Sequence, residues 1–316
     1  MFHPYAQLSP VDGHDVLVSA IPGPDGSLVT LWTTAADHPE LYARHGSSGG
    51  ASFARTRTAR PVSARVGVFG PQLQHVVAID ELPIAFPEVQ VFSDGSVLLV
   101  GARCAWTPDD GAEHNAIVYD ADGRVERTGV LGDGICHLAV TAADEIWVGY
   151  FDEGVLGNFG WHHPEAPPPV GVAGLVRFDR GLRPVWEFDG PEPIVDCYAL
   201  NLAGPDAWLC YYDAFPLARV RDDTVTTWAT PEQVSGVSAI AVDGDRVAFF
   251  GGYKGDGSNR LLVGRLPDDL LHVTAARTES LPAQSDSRAT SIHARGAVLH
   301  MISGRTWFVA RPLDPR

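Results

Sequence analysis

Lysine is almost missing from this chain: Lys254 is the only one, and every other basic residue is arginine. The bias reads as codon usage rather than as an arginine-specific function. Basic residues are few altogether, 23 against 39 acidic, for a net charge of −16. Nucleic acid and anionic membrane are therefore disfavoured as partners, because both require a cationic surface to release counterions or meet lipid phosphates. Cysteine is scarce. Cys104, Cys136, Cys197 and Cys210 show neither CxxC spacing nor a secreted framework, so buried, reduced thiols are expected. No apolar run approaches the roughly 20 residues that span a bilayer, and the first ten residues lack the charged and apolar regions of a secretion signal. A cytoplasmic protein is expected.

Motifs are also missing. No GxGxxG opens a helix, and the glycine cluster around Tyr253 and Lys254 lacks Walker spacing, so no nucleotide or flavin motif is present. HExxH zinc spacing and the Gly-x-Ser-x-Gly nucleophile elbow are absent as well. Heptads are lacking, and no helical stripe exceeds a turn or two.

What the chain has in quantity is turn residues and packing residues: 33 Gly, 24 Pro and 8 Trp, with 45% hydrophobic content. Short alternating runs, tight turns and second apolar runs recur as β-hairpins at residues 89–100, 138–149, 198–209 and 239–250. Each is followed, after a loop of variable length, by another hairpin at 116–125, 175–185, 217–226 or 261–272. Asp-Gly and related pairs supply the positive backbone angles that two-residue hairpins demand.

Four strands per unit, with units starting near 15, 88, 136, 196, 238 and 290, define a propeller repeat of about 40 to 70 residues. The last unit has three strands, and an orphan extended segment near residues 3–9 precedes the first. That segment is expected to supply the outer strand of the sixth blade. The fold class is all-β, a six-bladed β-propeller of four-stranded antiparallel blades forming one domain over residues 1–316. On these hairpins and the split last blade, the chain resembles the broad grouping of gluconolactonase-like and strictosidine-synthase-like propellers. The resemblance is architectural and implies the fold. WD40 signatures and a Tyr-Trp-Thr-Asp motif are absent.

In such a blade the second strand ends, the third begins and the first begins on one rim. The long connections at 35–62, 103–115 and 152–173 all fall there, and residues 35–62 leave room for an extra strand. First-strand starts bring Glu88, His137 and Asp196 to this rim, with Cys136 beside His137. Glu88 and Asp196 are the candidate catalytic carboxylates: one with a raised pKa as acid, the other ionised, or both as oxygen ligands of a divalent cation. Equally, they could cap strand ends or solvate the channel. Cys136 and His137, as strand neighbours, point to opposite faces and cannot be bonded without distortion. Aromatic and polar loop residues complete a candidate ligand site: Trp106, Tyr150, Asp152, Trp161, His162, His163, Tyr212 and Tyr253. His162 and His163 would need a third ligand, such as Asp152 or His114, to hold zinc. Trp32, Trp147, Trp208 and Trp307 lie within strands and read as packing between blades.

Two functional readings follow. One is an enzyme or binder of a small molecule that works through the rim carboxylates, by acid–base or metal-assisted chemistry. The other is a noncatalytic module that grips a partner protein or glycan.

Overall fold

The computed structural model describes residues 2–46, 50, 52–253, 259–266, 272–278 and 290–314, with the backbone alone for 272–278. Lys254 and residues 267–271 of the expected hairpin at 261–272 lie outside the described residues. The chain forms two compact units, one of residues Ser9–Glu187 and one of Met1–Leu8 with Phe188–Arg316. Strand β1 (His3–Gln7) belongs to the second.

The Ser9–Glu187 unit holds three sheets. The first pairs β2 (Asp15–Pro22), β3 (Leu28–Thr34), β6 (Arg57–Phe69) and β7 (Leu73–Ile84) in that order. Between β3 and β6 come α1 (His38–Leu41) and the small ribbon of β4 (Arg44–Gly46) and β5 (Ser52–Ala54). This insertion is the extra strand pairing for which residues 35–62 left room. The second sheet runs β8 (Pro87–Val91), β9 (Val97–Gly101), β12 (Ala116–Tyr119) and β13 (Val125–Gly129). Its insertion is the ribbon of β10 (Trp106–Thr107) and β11 (Gly111–Ala112). The third runs β14 (Ile135–Val140), β15 (Ile146–Tyr150), β16 (Leu175–Phe178) and β17 (Pro184–Glu187), with α2 (Asp152–Leu156) after β15.

The other unit repeats the plan. Its sheets are β18 (Asp196–Ala203), β19 (Asp206–Tyr212), β20 (Leu217–Arg221) and β21 (Thr224–Trp228); then β22 (Val237–Asp243), β23 (Arg246–Gly251), β24 (Arg260–Arg265) and β25 (His272–Thr278). The last comprises β26 (Thr290–Arg295), β27 (Val298–Ser303) and β28 (Thr306–Ala310), completed by β1 against β28. Six four-stranded antiparallel sheets, with the N-terminal strand in the last, are the six-bladed β-propeller class.

The sequence explains the order of strands within a sheet. Second strands such as β9 (VLLVG) and β15 (IWVGY) are buried at every residue, so they carry unbroken apolar runs, whereas the fourth strand β13 (VERTG) faces solvent and is mostly charged or polar. Cores lie between neighbouring sheets. Val100, Val118, Leu138, Val148 and Phe178 form one in the first unit, and Trp208, Ile240, Val247, Phe249 and Leu262 one in the second. Trp32, Trp147, Trp208 and Trp307 are all buried. Two buried asparagines tie loops to strands: Asn115 donates to the carbonyls of Gly101 and Gly132, and Asn201 exchanges two hydrogen bonds with Gly296. At the edge, Tyr5 of β1 packs edge-on against Trp307 at 4.6 Å.

Candidate functional site

Four of the six first strands carry the same irregularity. The ladder slips between Leu17 and Ser19, Ile135 and His137, Cys197 and Ala199, and Val237 and Ala239, leaving Val18, Cys136, Tyr198 and Ser238 as the extra residues. A bulge bends the strand, releases a residue from pairing and re-aims its side chain. Strict alternation therefore does not govern Cys136 and His137, because the distortion that the parity argument would require is present. Cys136 is exposed, whereas Cys104, Cys197 and Cys210 are buried; the expectation of four buried thiols holds for three. Strand β8 has no slip, and Glu88 lies opposite Val100.

Glu88 is partly buried, and among the described residues it forms no ion pair or hydrogen bond. Burial pushes its carboxyl up to about 7. The ring beside it is Tyr42, held just after α1. Burial, and after it the Glu88 charge, pushes the Tyr42 hydroxyl up to about 12. Tyr42 packs edge-on against Phe86, with centroids 5.3 Å apart, and lies 5.1 Å from the ring of His38. Burial also lowers the pKa of His38, so its imidazole is neutral at pH 7. Phe86 has φ of 49°, a left-handed conformation that bulky residues rarely adopt. Its N–H donates to Leu41 at 2.8 Å and its carbonyl accepts from Ala102 at 3.0 Å, which fixes it. Two residues along β8 from Glu88, buried Gln90 donates to the Pro22 carbonyl at 3.2 Å, and its Oε1 has no partner among the described residues.

The connections after β9 and β15 are locked together around Arg103. Its guanidinium makes two 2.9 Å bonds to Asp133, a 2.6 Å ion pair with Glu153, and sits over the ring of Phe159 at 4.2 Å. Burial pushes the Asp133 carboxyl up, opposed by Arg103 and by the N–H of Cys104. Two expected ligand residues belong to this scaffold. Tyr150 is fully buried with its hydroxyl on the Leu131 carbonyl, and buried Trp161 donates to the Cys104 carbonyl at 2.8 Å. Neither presents its ring to a ligand. Trp106 is partly buried and stacks on exposed His163 at 5.7 Å, while His162 and Asp152 are exposed. His137 is partly buried on β14. Among the described residues, no group of three or more His, Cys, Asp or Glu is placed to hold a metal ion. The zinc and divalent-cation options thus have no ligand set there.

Asp196 belongs to the other unit. It opens β18 and pairs directly across the ladder with Tyr212. Tyr198, the bulge residue, hydrogen-bonds Tyr253; that bond first, then burial, pushes its hydroxyl up. Phe215 sits among them, 4.9 Å from Tyr198, 5.9 Å from Tyr253 and 6.0 Å from Tyr212, each pair nearly perpendicular. Sequence reasoning singled out Tyr212 and Tyr253 but missed Tyr42, Phe86, Arg103, Asp133, Tyr198 and Phe215. One signal was available: Ala-Phe-Pro occurs at 85–87 and again at 214–216, and Phe86 and Phe215 both take positive φ, the latter at 53°.

The chain is thus a six-bladed β-propeller with clustered polar and aromatic residues beside first strands such as β8 and β18. A model of the YxzG family matches residues 170–256. No curated protein matches. Among solved structures, a streptogramin B lyase is similar with a TM-score of 0.50 and 12% identity, over 98% of this chain and 96% of that one. Hsv2 of Kluyveromyces lactis has a TM-score of 0.49 at 12% identity, over 95% and 75%. A gluconolactonase from Xanthomonas campestris has 0.43 at 12% identity, over 98% and 99%. At these identities the likeness is one of fold. No helix among the described residues is long and apolar enough to cross a membrane.

Proposed function

We propose that the protein binds a compact small molecule beside the start of β8 and exchanges a proton with it through Glu88. The observation that carries this reading is a partly exposed carboxyl, desolvated and without a protein partner among the described residues. A carboxyl kept only to cap a strand end would accept an amide hydrogen bond, and a structural ion pair would supply a cation. Glu88 has neither. A group titrating near 7 populates both protonation states at neutral pH, which suits a general acid or base. Tyr42 and Phe86 give the ligand aromatic walls. His38, neutral at pH 7, adds a second group able to accept a proton. His137, on the neighbouring strand β14, is a further polar side chain in this unit.

The test is carbon-13 NMR of the glutamate carboxyls, with Glu88→Gln to assign the Glu88 signal, followed by a small-molecule library screened at pH 6 and pH 8. The expected result is a midpoint near 7 that moves on ligand addition, with a ligand affinity that changes between the two pH values in the wild type and not in Glu88→Gln. An ordinary carboxylate midpoint, or ligands that bind Glu88→Gln with the same pH dependence, overturns the proposal.

A further inference from the structure

Several aromatic side chains in this protein carry an arginine of their own. Arg219 lies over Trp208 and Trp228, Arg177 over Trp147, Arg103 over Phe151 and Phe159, and Arg180 over Phe92. The group formed by Tyr198, Tyr212, Phe215 and Tyr253 is different. Among the described residues no arginine lies over any of its four rings, although it is the one of these groups built around a first-strand carboxylate.

Three local devices hold the group in place. The bulge in β18 releases Tyr198 from the ladder. Phe215 is held at φ 53°, a left-handed conformation unfavourable for a non-glycine residue. Its carbonyl is anchored by the Thr230 hydroxyl at 2.6 Å and the Cys210 thiol at 3.2 Å. Gly236, at φ 74°, lets Tyr253 approach: a Cβ there would stand 2.7 Å from the Tyr253 nitrogen and 3.0 Å from its ring. Core packing does not account for this arrangement, since Tyr212 and Tyr253 remain 44% and 52% exposed. Strain and bulges at an exposed aromatic group are the mark of a site.

Its electrostatics select the ligand. Tyr212 and Tyr253 meet Phe215 with ring planes nearly perpendicular, and both remain in large part open to solvent. Asp196 stands across the ladder from Tyr212, exposed Asp213 follows it, and the chain as a whole is strongly acidic. Aromatic faces beside a carboxylate attract a weakly hydrated organic cation, for which stacking on tyrosine and charge neutralisation act together. An anion is repelled, and a neutral apolar ligand gains nothing from the carboxylate.

We propose that Tyr198, Tyr212, Phe215 and Tyr253, with Asp196, form a binding site for a small organic cation carrying a quaternary ammonium group. The proposal draws on no residue of the site proposed at β8.

The test is isothermal titration of the full chain with choline and with 3,3-dimethylbutan-1-ol, its neutral isostere. Choline is expected to bind at least about tenfold more tightly than the isostere. Tyr253→Leu weakens choline about fivefold or more, whereas Tyr253→Phe, which keeps the ring, stays within about threefold. Asp196→Asn weakens choline and leaves the isostere unchanged. Glu88→Gln binds choline as the wild type does, which separates this site from the one proposed at β8. Equal affinity for the two probes, or no choline binding to the folded protein up to about 50 mM, overturns the proposal. So does retention of full affinity by both Tyr253→Leu and Tyr212→Leu, exposed positions where folding is not at stake.

Discussion

The hydroxyl of Tyr42 donates to the carbonyl oxygen of Val18 at 2.9 Å, so a loop tyrosine satisfies the backbone group that the β2 bulge set free. The bond joins the insertion after β3 to the first strand of the same sheet. Burial is the force that acts on Glu88.

Glu88→Gln is expected to change stability in a pH-dependent way. The folded carboxyl is raised to about 7 from an ordinary 4.5, so the folded state favours the protonated form. Its contribution is fully present below pH 4.5 and is lost as pH rises through 7. The variant should match the wild type near pH 4 and exceed it at pH 8 by on the order of 3 kcal/mol. Urea unfolding at the two pH values measures this. Equal stabilities at pH 8 would mean that Glu88 is solvated.

Arg103→Met removes the cation from a carboxylate that is 2% exposed at the side chain. Breaking one partner of such a pair costs about 3–5 kcal/mol, because the remaining charge stays buried. Adding Asp133→Asn should recover part of that loss, since the amide oxygen can still accept from the Cys104 N–H. Trp161 fluorescence should shift in the single variant, as the connection it anchors loosens. Denaturant unfolding of both variants gives the comparison.

His300 is expected to set an acid limit on the sheet of β26, β27, β28 and β1. Its Nδ1 accepts from Trp307 at 3.1 Å, and its ring is 3% exposed. Burial first, then the charges of His293, Arg311 and Arg295, lowers its pKa to about 3. The unfolded chain binds a proton near 6.5 and the folded one does not, so this contribution is complete above 6.5 and falls as pH drops toward 3. The wild type should lose up to about 1.4 kcal/mol per pH unit more than His300→Gln over that window. Thermal unfolding between pH 7 and pH 4 checks the slope, and parallel curves would show that His300 titrates normally.

Hairpins were legible in the sequence because local chemistry dictates them. Asp94-Gly95 and Asp122-Gly123 place glycines at φ 86° and 79° between strands whose apolar content matches their depth in the sheet. Buried tryptophans within strands were legible for the same reason. The site was less so. Tyr150 and Trp161 border long connections, and position alone does not tell which way a ring turns; both turn inward to carbonyls. The bulges depend on ladder pairing rather than on residue type, since Val18, Cys136, Tyr198 and Ser238 share no chemistry. Arg103 and Asp133 are 30 positions apart, so their pairing is a product of the fold.

Strand β1 and its neighbour impose a timing problem. Gln7 bonds Thr306 across 299 positions of chain, so β1 and β28 meet only when a very long loop closes. Until then the free edge of β28 stands open to other chains, and its pairing with β1 is a slow event for entropic reasons. Folding molecules therefore pass through an interval of vulnerability whose length is set by how fast that loop closes.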